Sequence, residues 1–295
     1  MRIILGHNPF FGVDHLSQDR GDEKAKRFED DGRIVDFLRE YDGLGIDALM
    51  LSTHPRAAAV ADALRADARL ARWRLYPLVP YINKYVRGAN EKGLVNLALD
   101  VLAQASLGQK LRMMVQGGRG LLAGDVRQAL SLLLDVELVP FGWLPLGAVF
   151  LHDALTDLAL GLGLEEALEL FRDHVERHYG VPAGLVTKNL PRLRERLEGR
   201  GWPEPLLMAS FNGKGFAMNP SPAECAEAVR RPGCRFVAIN TLASGALPPA
   251  AAYRYLAGFP NVRAVVVGVS RREHAVETVD AIRRHLERGD GAAPI

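Results

Sequence analysis

Only two of the 295 residues are cysteine, and that scarcity excludes several classes of protein. Cys225 and Cys234 are too few for a disulfide framework, and their spacing matches no zinc site built on paired cysteines. A chain so poor in thiols is expected in a reducing compartment. Charge of one sign is lacking too: Lys and Arg number 37 against 35 Asp and Glu, a formal net charge of +2. Basic residues are spread over helical patterns such as RLRERLEGR and AIRRHLER, which read as solvated faces, so no nucleic-acid partner is expected. The longest apolar run, LVPFGWLPLGAVFL, has 14 residues and two prolines, too short and too broken to cross a bilayer. Met1 leads straight into a strand-like RIILG without a leader pattern. No membrane partner and a cytoplasmic location are therefore expected, with the oligomeric state left open.

Hydrophobic residues make up 48% of the chain and charged residues 24%, the balance of a globular protein. At this length roughly three quarters of the unfolded surface is buried, enough for one large domain over 1–295. Short apolar runs recur, each followed by a polar turn and a segment of helical period. They are RIILGHN, DALMLSTH, RLYPLVPYIN, GAVFLHD, AGLVTKN, PLLMASFN, RFVAINTLAS and RAVVVGVS. None alternates with period two and all are too short for helices, which is the pattern of strands covered on both faces. Between them PRAAAVADALRA, LEEALELFRDHVERH, LPRLRERLEGR, SPAECAEAVRR and REHAVETVDAIRRHL read as helices. Eight strands alternating with helices give an α/β class and a closed (β/α)8 TIM barrel. The interval between the third and fourth strands is about twice what a crossover needs. It predicts a helical insertion over 86–145, with a ninth strand at KLRMMVQ as the alternative.

In such a barrel, chemistry collects where the loops leave the carboxyl ends of the strands. The predicted strands end in His7 and Asn8; Thr53 and His54; Tyr81, Asn83 and Lys84; His152 and Asp153; Thr187, Lys188 and Asn189; Ser210 and Asn212; Asn240; and Ser270. Of the eight histidines, His7, His15, His54 and His152 fall on this rim. The others, His174, His178, His274 and His285, lie in helical patterns and are expected to face solvent. One histidine at a strand end is ordinary structure, but four on one face point to acid–base or ligand chemistry. Asp153 fits a helix start equally well, because a carboxylate there accepts free N–H groups. Lys84 and Lys188 each read alone as snorkelling lysines. Together they also suit a phosphate clamp, a pKa-lowering partner or a Schiff-base amine. TLASGAL (241–247) and VVGVSRREH (266–274) combine small residues with helix-starting turns, the make-up of a phosphate site after strands seven and eight. Arg271 and Arg272 would add charge-assisted contacts, and a plain turn with Ser270 as N-cap is the alternative.

These stretches bear a family resemblance. RFVAINTLASGALPP followed by VRAVVVGVSRREHAVETVDAI resembles the last two strands of the aldo-keto reductase superfamily. FLHDALTD is similar to its fourth strand, which ends in the catalytic histidine, and GLVTKNLPRL to its fifth-strand G-x-S-N stretch. The likeness covers most of the chain and is strongest from residue 147 onward. It implies a barrel, an NADP(H) cofactor and a catalytic His152. It also implies cofactor contacts from Ser244, Gly245, Gly268, Ser270, Arg271 or Arg272, and Glu277, with Thr278 where the family usually has Asn. The departures lie earlier in the chain. The family's second strand ends in an Asp followed by the Tyr that protonates the carbonyl oxygen, whereas LMLSTHPRAAAVADAL offers Thr53, His54 and Pro55. Lys84 stands near the place of the family's tyrosine-tuning Lys, and GHNPFFGVDHLSQDR is not its Gly-rich opening.

Three functions fit these residues. The first is an NADP(H)-dependent reductase of a small carbonyl or imine. His152 would steady the oxyanion, His54 would replace the tyrosine as acid with Tyr81 or Tyr85 as alternatives, and Lys84 would tune the acid. His7, Asn8, Tyr81, Asp153, Lys188 and Asn212 would face the substrate. The second is a metal-dependent or acid–base lyase, isomerase or hydrolase of a phosphorylated substrate. There His7, His54 and His152 would hold Zn²⁺, with Asp14, His15 or Asp153 in support. The third is a degenerate barrel acting as a binding subunit.

Overall fold

The computed structural model describes residues 1–12, 18–81, 126–286 and 295. Eight parallel strands close in chain order into a barrel. They are β1 (Arg2–Gly6), β2 (Ala48–Ser52), β3 (Arg74–Val79), β4 (Val149–Leu151), β5 (Ala183–Val186), β6 (Leu206–Ser210), β7 (Arg235–Ile239) and β8 (Val262–Val267). Each coincides with one of the eight apolar runs. The described helices are α1 (Gln18–Arg27), α2 (Asp31–Asp42), α3 (Ala57–Ala66), α4 (Val126–Leu138), α5 (Asp153–Leu162), α6 (Glu165–Tyr179), α7 (Leu190–Gly199), α8 (Pro222–Arg230), α9 (Pro249–Leu256) and α10 (Arg272–Leu286). This is the expected (β/α)8 fold. Among the described residues no helix is long and apolar enough to cross a membrane.

The missing alternation in the strands has a direct cause: both faces of the sheet are covered. On β2, Leu49 and Leu51 pack outward with the helices, while Ala48 and Met50 point into the lumen. The lumen is filled by Ile4, Met50, Tyr76, Phe150, Val186, Leu206, Met208 and Val237, with Ile295 packed among them and its carbonyl 3.1 Å from the Tyr76 hydroxyl. Two of the large rings fit because a neighbour is glycine. A Cβ at Gly147 would collide with Tyr76, and one at Gly184 with Phe150.

Local signals set the helix ends. Ser221 caps α8, its Oγ accepting the Glu224 N–H and its hydroxyl donating to the Glu224 carboxylate, with Pro222 at the first helical position. Gly163 and Gly180 end α5 and α6 at φ 69° and 66°, the left-handed region where a side chain is penalised. The connection from β4 to β5 holds two helices, α5 and α6, divided at Gly163. One expectation changes. His174, expected to face solvent, is buried on α6. Its Nε2 lies 2.8 Å from Asp135 of α4, which also accepts from the Tyr179 hydroxyl at 2.7 Å. A charged partner on the adjacent helix lets that imidazole occupy an inner face. Within the expected insertion, α4 and a 3-10 turn over Val139–Phe141 are helical; KLRMMVQ lies outside the described residues.

Candidate active site

β1 ends at Gly6, and the chain turns at once into a 3-10 helix, Asn8–Phe11, with Pro9 near its start. Half-buried at that turn, His7 places Nδ1 3.2 Å from the Met50 carbonyl of β2. A carbonyl only accepts, so Nδ1 is the donor and Nε2 keeps its lone pair. Burial pushes the His7 imidazole down to about 4; the Met50 carbonyl opposes the shift, and the charges of His54 and His152 add to it. His7 is therefore within electrostatic reach of His54 and His152, the other described rim histidines. The rest of this wall is aromatic. Phe11 lies 5.6 Å from the His7 ring and stacks on His54 at 4.0 Å. Tyr81 meets His54 edge-on at 5.1 Å. His54 Nδ1 accepts the Arg56 N–H at 3.2 Å, which leaves the proton of a neutral ring on Nε2.

β4 carries its inward alternation from Ala148 and Phe150 to His152, which is also the N-cap of α5. Its Nδ1 lies 3.1 Å from the Ala154 N–H and 2.7 Å from Asp153 Oδ1. One nitrogen cannot satisfy both, because the N–H needs a lone pair and the carboxylate needs a proton. Only the Ala154 contact has hydrogen-bond geometry, so Nδ1 of a neutral ring accepts there, and Asp153 pairs with the ring when it is protonated. The other Asp153 oxygen is 3.4 Å from Lys188 Nζ, which is otherwise largely exposed. Burial alone would raise the Asp153 carboxyl. The His152 hydrogen bond and the charges of His152 and Lys188 outweigh it and hold the group at about 2.

Sequence reading missed four residues here. Glu137 reaches from α4 to the ends of β2 and β3, fully buried, and accepts from the Thr53 hydroxyl and, at 3.3 Å, from the Tyr81 N–H. Asp157 does the same from α5, accepting from the Thr187 hydroxyl and, at 3.0 Å, from the Lys188 N–H. The available signal was an acid inside an apolar helical stretch, Glu137 in SLLLDVELVPF and Asp157 in DALTDLALG, each with a second acid nearby. Phe11 had only its closeness to His7. Ser52 follows Met50 on the inward side of β2, and its hydroxyl is buried with no hydrogen-bond partner among the described residues.

The other half of the mouth is built differently. Asn212 is buried, and its side chain is turned to its own loop, accepting from Lys214 and Phe216 N–H and donating to the Phe216 carbonyl. Asn240 donates to Ser210 at 2.8 Å, joining the ends of β7 and β6. After β7 the backbone is left-handed at Asn240, Ala243, Ser244 and Gly245. Ser244 is half-buried and Gly245 exposed. On the adjacent β8, Gly268 is exposed, Ser270 half-buried, and α10 begins two residues later. Arg271, Arg272 and Glu277 are exposed and held in no ion pair among the described residues, whereas Thr278 is buried. Small exposed residues beside two uncommitted guanidinium groups at a helix start fit a dinucleotide phosphate.

Asp14, His15, Asn83, Lys84 and Tyr85 lie outside the described residues. Among those described, no three His, Cys, Asp or Glu side chains are grouped to hold a metal, so His7, His54 and His152 do not form the alternative zinc site.

No family model and no curated protein matches the chain. Solved structures do match. One, described as a "putative aldo-keto reductase" from Pseudomonas aeruginosa, shares 16% identity at a TM-score of 0.60, covering 97% of this chain and 90% of that one. A second, similarly described and from the same organism, shares 18% identity at a TM-score of 0.58 over the same shares of both chains. At such identities the likeness is one of fold: the chain has the barrel of these proteins along nearly its whole length.

Proposed function

We propose that this chain is an NADP(H)-dependent oxidoreductase of aldo-keto reductase type, acting on a small carbonyl or imine, with an imidazole in place of the family's tyrosine. The observation that supports it most is His152, inward at the end of β4 and within electrostatic reach of His7, which lies across the mouth. The loops after β7 and β8 fit the cofactor, with Ser244, Gly245, Gly268 and Ser270 against phosphate and Arg271 and Arg272 toward its charge. Glu277 is one turn further along α10. When bound, the nicotinamide supplies a hydride.

The chain's own residues do the rest. His54, with its Nε2–H, and His152 bracket the position of the carbonyl oxygen as donors. Phe11 and Tyr81 hold the His54 ring and present an apolar wall to a small substrate. The neutral His7 adds no charge beside the nicotinamide, while Asn8 and Lys188 stand at the edge. Glu137 and Asp157 fix the strand ends from behind.

Titration of purified, dialysed protein with NADPH, followed by fluorescence, tests this reading. Saturable micromolar binding that weakens at least tenfold in Arg271→Ala/Arg272→Ala is expected. No binding at millimolar NADPH or NADH would confine the resemblance to the fold.

A further inference from the structure

The described rim imidazoles do not all offer the same group to the mouth. His7 caps the turn that follows β1, and its own carbonyl is taken by the Phe10 N–H at 2.9 Å. Its Nδ1 lies 3.2 Å from the Met50 carbonyl, which only accepts, so the ring proton is on Nδ1 and Nε2 is a bare lone pair. Nothing among the described residues donates to that Nε2. Burial keeps the ring neutral at pH 7. His152 is the reverse case. Its Nδ1 accepts the Ala154 N–H at 3.1 Å, so a neutral ring carries its proton on Nε2. His54 is set like His152, with Nδ1 accepting from Arg56. The mouth thus has an acceptor on the β1 side and donors on the β2 and β4 sides. The other polar groups of this wall are engaged with one another: the Thr53 hydroxyl with Glu137, and the Tyr81 N–H with both.

A ligand that meets this pattern has an oxygen that accepts and, beside it, a group that donates. We propose that His7 is a specificity-determining residue, its Nε2 accepting a hydrogen bond from a hydroxyl carried beside the reacting carbonyl, so that hydroxy-ketones and hydroxy-aldehydes are the preferred substrates. The substrate class rests on the reductase reading above; the split between acceptor and donors does not. The carbonyl oxygen goes to the donors and the hydroxyl to His7. A carboxylate in the hydroxyl's place has no proton to give and sets its lone pairs against that of Nε2. A methyl group there leaves the lone pair cut off from water and unpaired, which weakens binding rather than merely failing to add to it. Phe11, its ring 5.6 Å from that of His7, bounds the corner with an apolar face that offers no substitute partner.

Three ketones of nearly one size separate these cases: hydroxyacetone, which donates, butanone, which has a methyl group there, and pyruvate, which has a carboxylate. With NADPH, kcat/KM should be at least tenfold higher for hydroxyacetone than for either of the others. His7→Phe, which keeps a ring without a lone pair, should bring hydroxyacetone down to the level of butanone. His7→Gln, whose carboxamide donates to Met50 and still offers an oxygen, should keep part of the preference. No preference in wild type, or one unchanged in His7→Phe, overturns the proposal. If His7→Phe does not fold, His7→Leu provides the same reading. Nitrogen-15 NMR of the histidine rings in the cofactor-free protein gives a test without turnover. Wild type should show His7 protonated on Nδ1 and His152 on Nε2, and propylene glycol, but not sec-butanol, should shift the His7 Nε2 resonance. His7 protonated on Nε2, the same tautomer in both rings, or equal shifts with the two alcohols overturns the proposal. A response to the diol with no turnover of any ketone upholds the acceptor and rejects the reductase reading.

Discussion

A histidine held neutral inside a fold makes stability depend on acid. His7 titrates near 4 in the native state against 6.5 in a model peptide. Between those values the unfolded chain binds a proton that the native chain does not, so stability falls as pH drops from about 7 toward 4. At pH 5 the loss is on the order of 2 kcal/mol. Asp153 has the opposite sign: its contribution is present above the ordinary carboxylate value and is lost only as pH falls toward 2, outside that window. Urea unfolding at pH 7.5 and pH 5 should therefore show a smaller drop in His7→Asn than in wild type; an equal drop would mean that His7 is not the group responsible. Ser52 offers a test in the other direction. Its buried hydroxyl has no partner among the described residues, an arrangement that costs about 1–3 kcal/mol, so Ser52→Ala should unfold at higher urea than wild type. His152→Ala, on the rim, should abolish turnover and leave the urea midpoint nearly unchanged. Single residues were legible in the sequence where an apolar run stopped abruptly at a polar group, as at His152. They were illegible where the partner lay on another helix, as Asp135 does for His174.

Elements were read more surely than side chains, because their signal is spread over many residues. All eight strands stood out as short apolar runs, and buried faces on both sides explain why. The helices that anchor the mouth were visible only as helices. That Glu137 would turn from α4 to the ends of β2 and β3 depends on how that helix packs, which no local pattern encodes. Its burial makes it consequential. Glu137→Ala leaves the Thr53 hydroxyl without this acceptor, while the Tyr81 N–H keeps its 3.0 Å bond to Thr53 Oγ1, at a cost of about 1–3 kcal/mol. Chemical denaturation should register that loss, and Glu137→Gln, which keeps an acceptor, should recover most of it. A fully stable Glu137→Ala would show that the tether carries no weight. Asp157 and Thr187 repeat the arrangement at the end of β5. The mouth is thus shaped by carboxylates from the helices behind the sheet as well as by the strands.

At the scale of the whole molecule, closure of the barrel turns eight local choices into one shared volume. The lumen holds Tyr76 and Phe150 because the facing residues are Gly147 and Gly184. Sequence reading saw these glycines only as turn or strand residues, since the ring that needs the space comes from another strand. Gly184→Ala should destabilise the fold by about 1–3 kcal/mol through overpacking, and Phe150→Leu should cost a similar amount through the space it leaves. The double variant should cost less than the sum of the two, which a double-mutant cycle would measure; strict additivity would mean that the pair does not share its space. The same pairing has a historical consequence. In diverging copies of this chain, residue 184 can gain a side chain only where residue 150 has already lost bulk, so the two positions should change together and in that order.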